Sequence, residues 1–373
     1  MWGVQMAATK GLGREVYQEA FERLGNISAV AREFGVCHRT VARSLRGKQT
    51  DPAIQAGMDA VGTGMVPAMA WIKTKGTKDQ PGYSLMLKPA ADDTDPLERI
   101  REAFTDLPAA PPAPPPLYAD EDLLTLYPIA DAHVGMLAWG EETGEDYDTR
   151  KACDRLRSWV GQCVASAPAS GTGVILVAGD LLHADDQTSQ TPKSRHVLDV
   201  DTRHFRTLDM AISALAACID LAARKHARVI VRILPGNHDP HSSMAVLFAL
   251  AERYRDDPRI EVDKRPGEFW VYEHGQVMLA SHHGDKAPPE RLGMALMGAH
   301  RDIFGRSKYC YLFTGHLHSF SGKDVGPIRW EQLRAVTARD AYAASHSWVS
   351  QAELQAITYH RERGEIARAR VAA

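Results

Sequence analysis

The sequence predicts an α/β domain preceded by a small all-α domain. Three observations carry that prediction: apolar strands alternate with amphipathic helices beyond residue 117, the pattern before residue 50 is helical, and a proline-dense run separates the two. At 373 residues the chain is longer than one ordinary domain, and 44% hydrophobic with 24% charged residues describes a globular protein. No stretch approaches 18 uncharged apolar residues, and Met1–Lys10 lacks a basic segment ahead of an apolar core, so neither a membrane span nor a secretory leader is expected. Cys37, Cys153, Cys163, Cys218 and Cys310 are odd in number and form no CxxC pair, as in reduced thiols of the cytoplasm. The net charge is −3, so nucleic-acid contact would need a local basic patch.

Such a patch opens the chain. Residues 1–50 hold eight Lys/Arg against four Asp/Glu, and Arg14–Arg46 reads as short helices. Ala31, Gly35 and Val41 have the spacing of a helix-turn-helix: a small residue where helices approach, a glycine in the turn, a β-branched residue locking the second helix. This resembles DNA-binding domains of resolvase and phage-regulator type, and would set Arg39, Thr40, Arg43 and Arg46 towards DNA. A plain helical hairpin for protein contacts is the alternative. Residues 51–107 are Gly-rich, with brief strand-like pieces at Ala70–Lys73 and Tyr83–Leu87, and read as a small adaptor of unknown role. Pro108–Pro116 carries six prolines, which favour extended polyproline II, and is expected to be a semi-rigid linker.

From residue 117 to 373 the pattern is that of one larger domain. Buried strands are expected at Leu123–Ala130, Gly173–Ala178, Val229–Leu234, Val277–Ser281 and Tyr309–Thr314, with helices at Thr202–His226 and Ser242–Tyr254. Val325–Trp330, Leu354–His360 and Glu365–Val371 read as added edge strands. Between the strands and helices the polar segment Ala184–His204 is long enough to cover or grip a substrate.

Histidine supplies the chemical clue. Thirteen of the 16 histidines fall between His133 and His318, about half the chain. Five short motifs follow the predicted strands: Asp131-Ala132-His133, Gly179-Asp180-Leu181-Leu182-His183, Gly236-Asn237-His238-Asp239, His282-His283-Gly284-Asp285 and Gly315-His316-Leu317-His318. Strand ends are where α/β sheets bind ligands. In an extended segment side chains at i and i+2 share a direction, so Asp131 with His133, and His316 with His318, would each aim two ligands at one point. Each motif alone is weak; five in order are not.

Together they resemble the calcineurin-like binuclear metallophosphoesterases over residues 123–320. The resemblance implies a four-layer α/β sandwich holding two divalent cations about 3.5–4 Å apart. It assigns Asp131, His133 and His318 to one ion, Asn237, His283 and His316 to the other, and Asp180 to both. His283 is preferred to His282 because the family's ligand directly precedes glycine. His238 would stand beside the phosphate as general acid or stabiliser, oriented by Asp239. Two such ions activate a water to hydroxide at neutral pH and offset phosphoryl charge. The mixed Asp/His/Asn set without thiolate suits Mn²⁺, with Fe²⁺ or Zn²⁺ as alternatives. The run from Gly179 to His183 resembles the nuclease subunit of the double-strand-break repair complex, where the last histidine contacts the scissile phosphodiester. No segment for a partner ATPase follows His318, however, and that subunit carries no N-terminal DNA-reading module.

The function expected is therefore a metal-dependent phosphodiesterase, a DNA nuclease delivered by its own helix-turn-helix, a combination that suits a phage protein. DNA is the expected partner, a homodimer is compatible with the sequence, and no membrane is involved. The alternatives are a phosphatase or cyclic-nucleotide phosphodiesterase on the same scaffold, and a DNA-binding regulator with a non-catalytic phosphoesterase domain.

Overall fold

In the computed structural model the described residues are 14–34, 36, 41, 65–77, 80–89 and 109–373. The chain divides into two units, Met1–Thr94 and Asp95–Ala373. In the first, helices α1 (Arg14–Leu24) and α2 (Ile27–Glu33) are joined across Gly25, whose φ is 72°. The Asn26 side chain caps α2 by accepting the Ala29 N–H at 2.8 Å. Tyr17, Ala20, Val30, Ala31 and Val41 form a small core, so Ala31 does sit buried against neighbouring helix. Arg39, Thr40, Arg43 and Arg46 lie outside the described residues. The two short strand-like pieces belong to one antiparallel hairpin, β1 (Met65–Thr77) and β2 (Gln80–Pro89), paired from Met65–Pro89 to Thr77–Gln80.

The second unit runs β3 (Asp120–Ile129), α3 (Gly140–Thr143), α4 (Thr149–Ser166), β4 (Ser170–Val177), α5 (His204–Lys225), β5 (Arg228–Ile233), α6 (Ser242–Arg253), β6 (Ile260–Val262), β7 (Trp270–His274), β8 (Val277–Ser281), α7 (Pro289–Ala299), α8 (Arg301–Arg306), β9 (Tyr309–Thr314), β10 (Ser321–Val325), β11 (Ile328–Gln332), α9 (Ala341–Ser345), β12 (Glu353–His360) and β13 (Gly364–Ala372). Two mixed sheets result, ordered β13-β12-β3-β4-β5-β6 and β10-β11-β9-β8-β7. Within them β3, β4, β5 and β6 are parallel, as are β8, β9 and β11.

Alternation along each strand builds the layers. Leu124, Leu126, Val174, Leu176 and Ile230 face Val277, Leu279, Tyr311 and Phe313 between the sheets. Their neighbours Tyr127, Ile129, Ile175, Val177, Val229 and Val231 turn the other way, onto Leu156, Val160, Leu215, Ile219 and Leu250 of α4, α5 and α6. On the far side Met278, Ala280 and Leu312 meet Leu292 and Leu296 of α7. The stack is helix, sheet, sheet, helix. Burial on both faces explains why the strands read as unbroken apolar runs rather than alternating ones.

Three expectations change: Leu354–His360 is not an edge strand, since β12 pairs with β13 on one side and β3 on the other. Val325–Trp330 is not one strand: Gly326, at φ 58°, and Pro327 turn the chain there, and β10 and β11 form a hairpin. The proline-rich run is also not a free spacer over its whole length. Ala110 is buried, its N–H donates to Arg253 O at 2.7 Å, and the Ala113 N–H donates to Asp257 at 3.3 Å. Alanines between the prolines keep the N–H groups that prolines lack, and those N–H groups tie the run down. Among the described residues no helix is long and apolar enough to cross a membrane.

Candidate metal centre

All five motifs leave parallel strands at the same end: Asp131 and His133 after β3, Asp180 and His183 after β4, Asn237 and His238 after β5, His283 after β8, His316 and His318 after β9. The expected extended backbone is not what converges them. Asp131, His133, Asp180, His316 and His318 have φ of 49°, 43°, 49°, 74° and 55°, in the left-handed region that costs a non-glycine residue about 1–2 kcal/mol. The strands stop before the ligand residues, and left-handed turns then aim the side chains. His316 and His318 consequently part company, each joining a different group.

The donor atoms of Asp131, His133 and His318 lie within 4.8 Å of one another, and so do those of Asp180, His283 and His316. Asp180 stands between the two groups. Its Oδ2 is 3.2 Å from His283 Nε2 and 3.9 Å from His133 Nε2, while Oδ1 accepts the His238 N–H at 2.8 Å. Asp131 is fully buried and accepts the His316 N–H at 2.9 Å. Asn237 adds its Oδ1 at 3.1 Å from His283 Nε2.

Glycine lets these loops touch. At Gly179, φ is 99° and a Cβ would fall 2.2 Å from His283 Nδ1; at Gly236 it would fall 1.9 Å from Asp180 Oδ1. Glycine before Asp180 is thus required by close approach and by backbone handedness, and glycine before Asn237 by close approach alone.

Donor direction shows that the residues fit cations. His283 Nδ1 lies 3.0 Å from Ala178 O, so that nitrogen carries the proton and donates it to the carbonyl. Its Nε2 then faces two oxygens, of Asp180 and Asn237, neither of which donates at neutral pH when Asn237 presents Oδ1. Only positive charge satisfies that arrangement, a second proton or a metal ion. Burial opposes charge on His283, yet the Asp180 carboxylate outweighs it and pushes the imidazole up to about 10. The Asp180 carboxyl, despite its own burial, is held well below the usual carboxylate range by His283. In the other group His133 Nε2 and His318 Nε2 meet at 3.1 Å, two ring nitrogens converging on the space beside Asp131. Burial, and next the neighbouring His238, hold the His133 imidazole well below its ordinary range, so it stays a neutral donor.

Three histidines, His133, His183 and His238, pack edge to face or stacked at this centre, with ring nitrogens within 4.8 Å of one another, a third group that could hold a cation. His183 Nδ1 is 3.2 Å from His133 Nδ1, and its ring stacks on His238 at 5.3 Å. The His183 carbonyl accepts from His238 Nδ1 at 2.8 Å. Asp239 therefore does not orient His238. It is fully buried, and its two oxygens accept the Gly236 N–H at 3.0 Å and the Leu182 N–H at 2.9 Å, bracing one ligand loop against another. Successive side chains in this turn point opposite ways, so Asp239 turns inwards while His238 faces out. His282 likewise leaves the cluster; it packs on Phe269 and accepts the Gly284 N–H at 2.9 Å.

Two features went unread in the sequence. Asp185 accepts N–H bonds from His241 at 2.9 Å and Ser242 at 2.7 Å, pinning the polar segment after His183 to the start of α6. That segment supplies Thr191, His196 and Val197 to the wall of a cavity of about 1040 Å³, into which Asp180, Asn237, His238, His316 and His318 open. The opposite wall comes from residues near α9, which no motif marked.

No known family profile and no curated protein matches the sequence. Among solved structures the chain is similar to a predicted phosphoesterase from Streptococcus pneumoniae (10% identity, 67% of this chain and 98% of that one, TM-score 0.28). It is similar to a zinc-complexed Vps29 from Entamoeba histolytica (16%, 66% and 98%, 0.28). A putative 5'-nucleotidase from Staphylococcus aureus is similar at 9% identity over 67% of this chain and 54% of that one, with TM-score 0.31. The metal-binding character of the centre rests on this chain's own residues, in a mixed α/β fold of two sheets flanked by helices.

Proposed function

We propose that this chain is a metal-dependent phosphodiesterase acting on nucleic acid, a nuclease carried to DNA by its N-terminal helices. One observation supports it most directly: Asp180 places a single carboxylate oxygen between two converging donor groups. In this reading Asp131, His133 and His318 hold one divalent cation, Asn237, His283 and His316 hold the other, and Asp180 holds both. Mn²⁺ is the first candidate, with Fe²⁺ or Zn²⁺ next. When bound, such a pair supplies Lewis acidity and positive charge at the phosphoester.

The chain's own groups do the rest. His238 lines the cavity and its Nδ1–H donates to the His183 carbonyl, so that in the imidazolium form its Nε2–H is the donor left for a phosphoryl or leaving oxygen. His183, through Nδ1, fixes which nitrogen of His133 carries the proton and so positions that ligand beside the phosphodiester. Asp239 holds the Asn237 loop at its distance from Leu182. The DNA-reading role of Arg39, Thr40, Arg43 and Arg46 is supported by the sequence pattern.

The test is a screen of the full chain, loaded with Mn²⁺, Mg²⁺, Zn²⁺ or Fe²⁺, against single-stranded DNA, duplex DNA, cyclic nucleotides and a phosphoserine peptide. Metal-dependent DNA cleavage is the expected result. Turnover confined to phosphoserine or cyclic nucleotides would replace the nuclease with a phosphatase or small-molecule phosphodiesterase. Absence of hydrolysis with every metal and every substrate would leave the DNA-binding regulator.

A further inference from the structure

The cavity above the metal centre is larger than one phosphoester needs. Its volume of about 1040 Å³ stands at the upper end of the range for small-molecule sites. Residues 335–352 supply one wall, and within them α9 is a single helical turn locked at both ends. Asp340 caps its start by accepting the Ala343 N–H at 2.7 Å. At its end the Ser347 N–H donates to Ala344 O and the Trp348 N–H to Ala343 O, both at 3.0 Å. This is a Schellman closure, with Ser347 at φ 58° where glycine is the low-cost residue.

The closure folds Trp348 back onto the helix. Its ring meets Tyr342 at 5.7 Å and His346 at 5.0 Å, and Tyr342 meets His346 at 4.3 Å. The turn is built as if to be rigid, yet Tyr342 is 55% and Trp348 58% exposed. Large rings are normally buried, and here a strained turn holds two of them open on the wall of the catalytic cavity.

We propose that Tyr342 and Trp348 form a stacking platform for unpaired nucleobases, so that the phosphoester presented to the metal centre belongs to a single strand. The proposal rests on the phosphodiesterase reading above and names its substrate class. Aromatic faces stack on any base, and bases inside a duplex have no free face to offer. The wall around the rings is lined by alanines, among them Ala335, Ala338 and Ala352, which leave clearance for flat ligands. Charge points the same way. Among the described residues lining the cavity Arg339 is the one arginine or lysine, and its Nε and Nη2 each donate a hydrogen bond to Thr143 O, at 3.1 and 2.7 Å, which fixes the direction of that single cation. One cation against two exposed aromatic rings makes this wall a surface for base faces more than for a row of phosphates.

Binding without metal tests the platform independently of turnover. Fluorescence anisotropy in EDTA compares a labelled thymidine hexanucleotide with an abasic hexamer of the same length, a strand too short to engage a duplex-reading module. The wild-type chain should bind the base-bearing strand at least about tenfold more tightly, the scale of one stacked base. The Tyr342→Ala/Trp348→Ala pair should abolish that ratio, and Trp348→Phe, which keeps an aromatic face, should retain most of it. The salt dependence of binding should be the same in wild type and the double variant, since no phosphate contact is lost. Equal binding of the two strands by the wild type, which requires no variant to fold, would overturn the platform; so would a base preference intact in the double variant. Thymidine monophosphate competing as well as the hexanucleotide would overturn the single-strand assignment. Hydrolysis of bis-nitrophenyl phosphate by the Mn²⁺-loaded wild type is scored separately, and its absence sinks the phosphodiesterase reading, not the platform.

Discussion

The Asp180 carboxylate uses one oxygen to hold the His238 backbone and turns the other towards His283 and His133. Asp180→Asn preserves its shape and removes the charge that both donor groups share. Elemental analysis should then find fewer than two ions per chain, and phosphodiester hydrolysis should fall on the order of 10³-fold while circular dichroism shows the metal-free protein still folded. Two tightly held ions in an active Asp180→Asn protein would defeat the assignment. Not every histidine in the rich half of the chain serves the centre. His226 is buried under the sheet, where its Nε2 lies 2.7 Å from the Tyr127 hydroxyl and its Nδ1 lies 3.1 Å from Ser170 O and 3.3 Å from Ser170 N. Burial drives its imidazole down to about 4. Between pH 4 and the ordinary 6.5 the unfolded chain binds a proton there that the folded chain does not. The stability contributed by the neutral ring is therefore complete above pH 6.5 and lost as pH falls towards 4, by about 3 kcal/mol. Urea midpoints of wild type and His226→Gln across that window check this: the wild type should lose more stability on acidification, and parallel curves would refute it.

Each ligand-bearing loop begins where a strand ends, and the junction is tight. Gly236 after β5 faces Asp180 after β4 so closely that any side chain would overlap the carboxylate. Gly236→Ala should cost about 1–3 kcal/mol, read as a lower urea midpoint at unchanged slope, and should weaken metal retention because the Asp180 side chain must move. An alanine protein with wild-type metal content would mean that the loops are looser than this. Asp239 shows the same economy between elements: without its two N–H bonds the β4 and β5 loops would lose their common brace. Secondary-structure pattern placed Val277–Ser281 and Tyr309–Thr314 at both ends, because burial on two faces demands continuous apolar runs, but began β3 and β4 three residues late, where their first residues are polar or glycine, and did not mark β6 or β7. It did not reach the hairpin at Gly326-Pro327, where apolar residues on both sides of a two-residue turn read as one run.

At the scale of the molecule, the chain divides into two units, and the five histidine-bearing motifs all fall in the second. If the N-terminal helices read DNA, their contribution is electrostatic and separable from the metal centre. Arg39→Ala/Arg43→Ala should weaken duplex affinity and reduce the slope of log affinity against log salt by about 1–2, leaving hydrolysis of a small activated phosphodiester intact. Unchanged duplex affinity would remove the helix-turn-helix from the account.

The sequence alone determined which residue types stand at the strand ends and in what order, because metal ligation depends on side-chain chemistry and strand ends are marked by apolar runs. Tertiary structure alone decided the rest. Whether His316 joins Asp180 or Asp131 depends on left-handed turns that no periodicity reveals. That Asp239 braces Leu182 and leaves His238 to the His183 carbonyl depends on two loops meeting from different strands. Tyr342 and Trp348, some 200 residues from Asp131 in sequence, acquire meaning only because the fold sets them on the wall of the cavity that opens over the metal centre. Local chemistry is written residue by residue; proximity between distant segments is a property of packing.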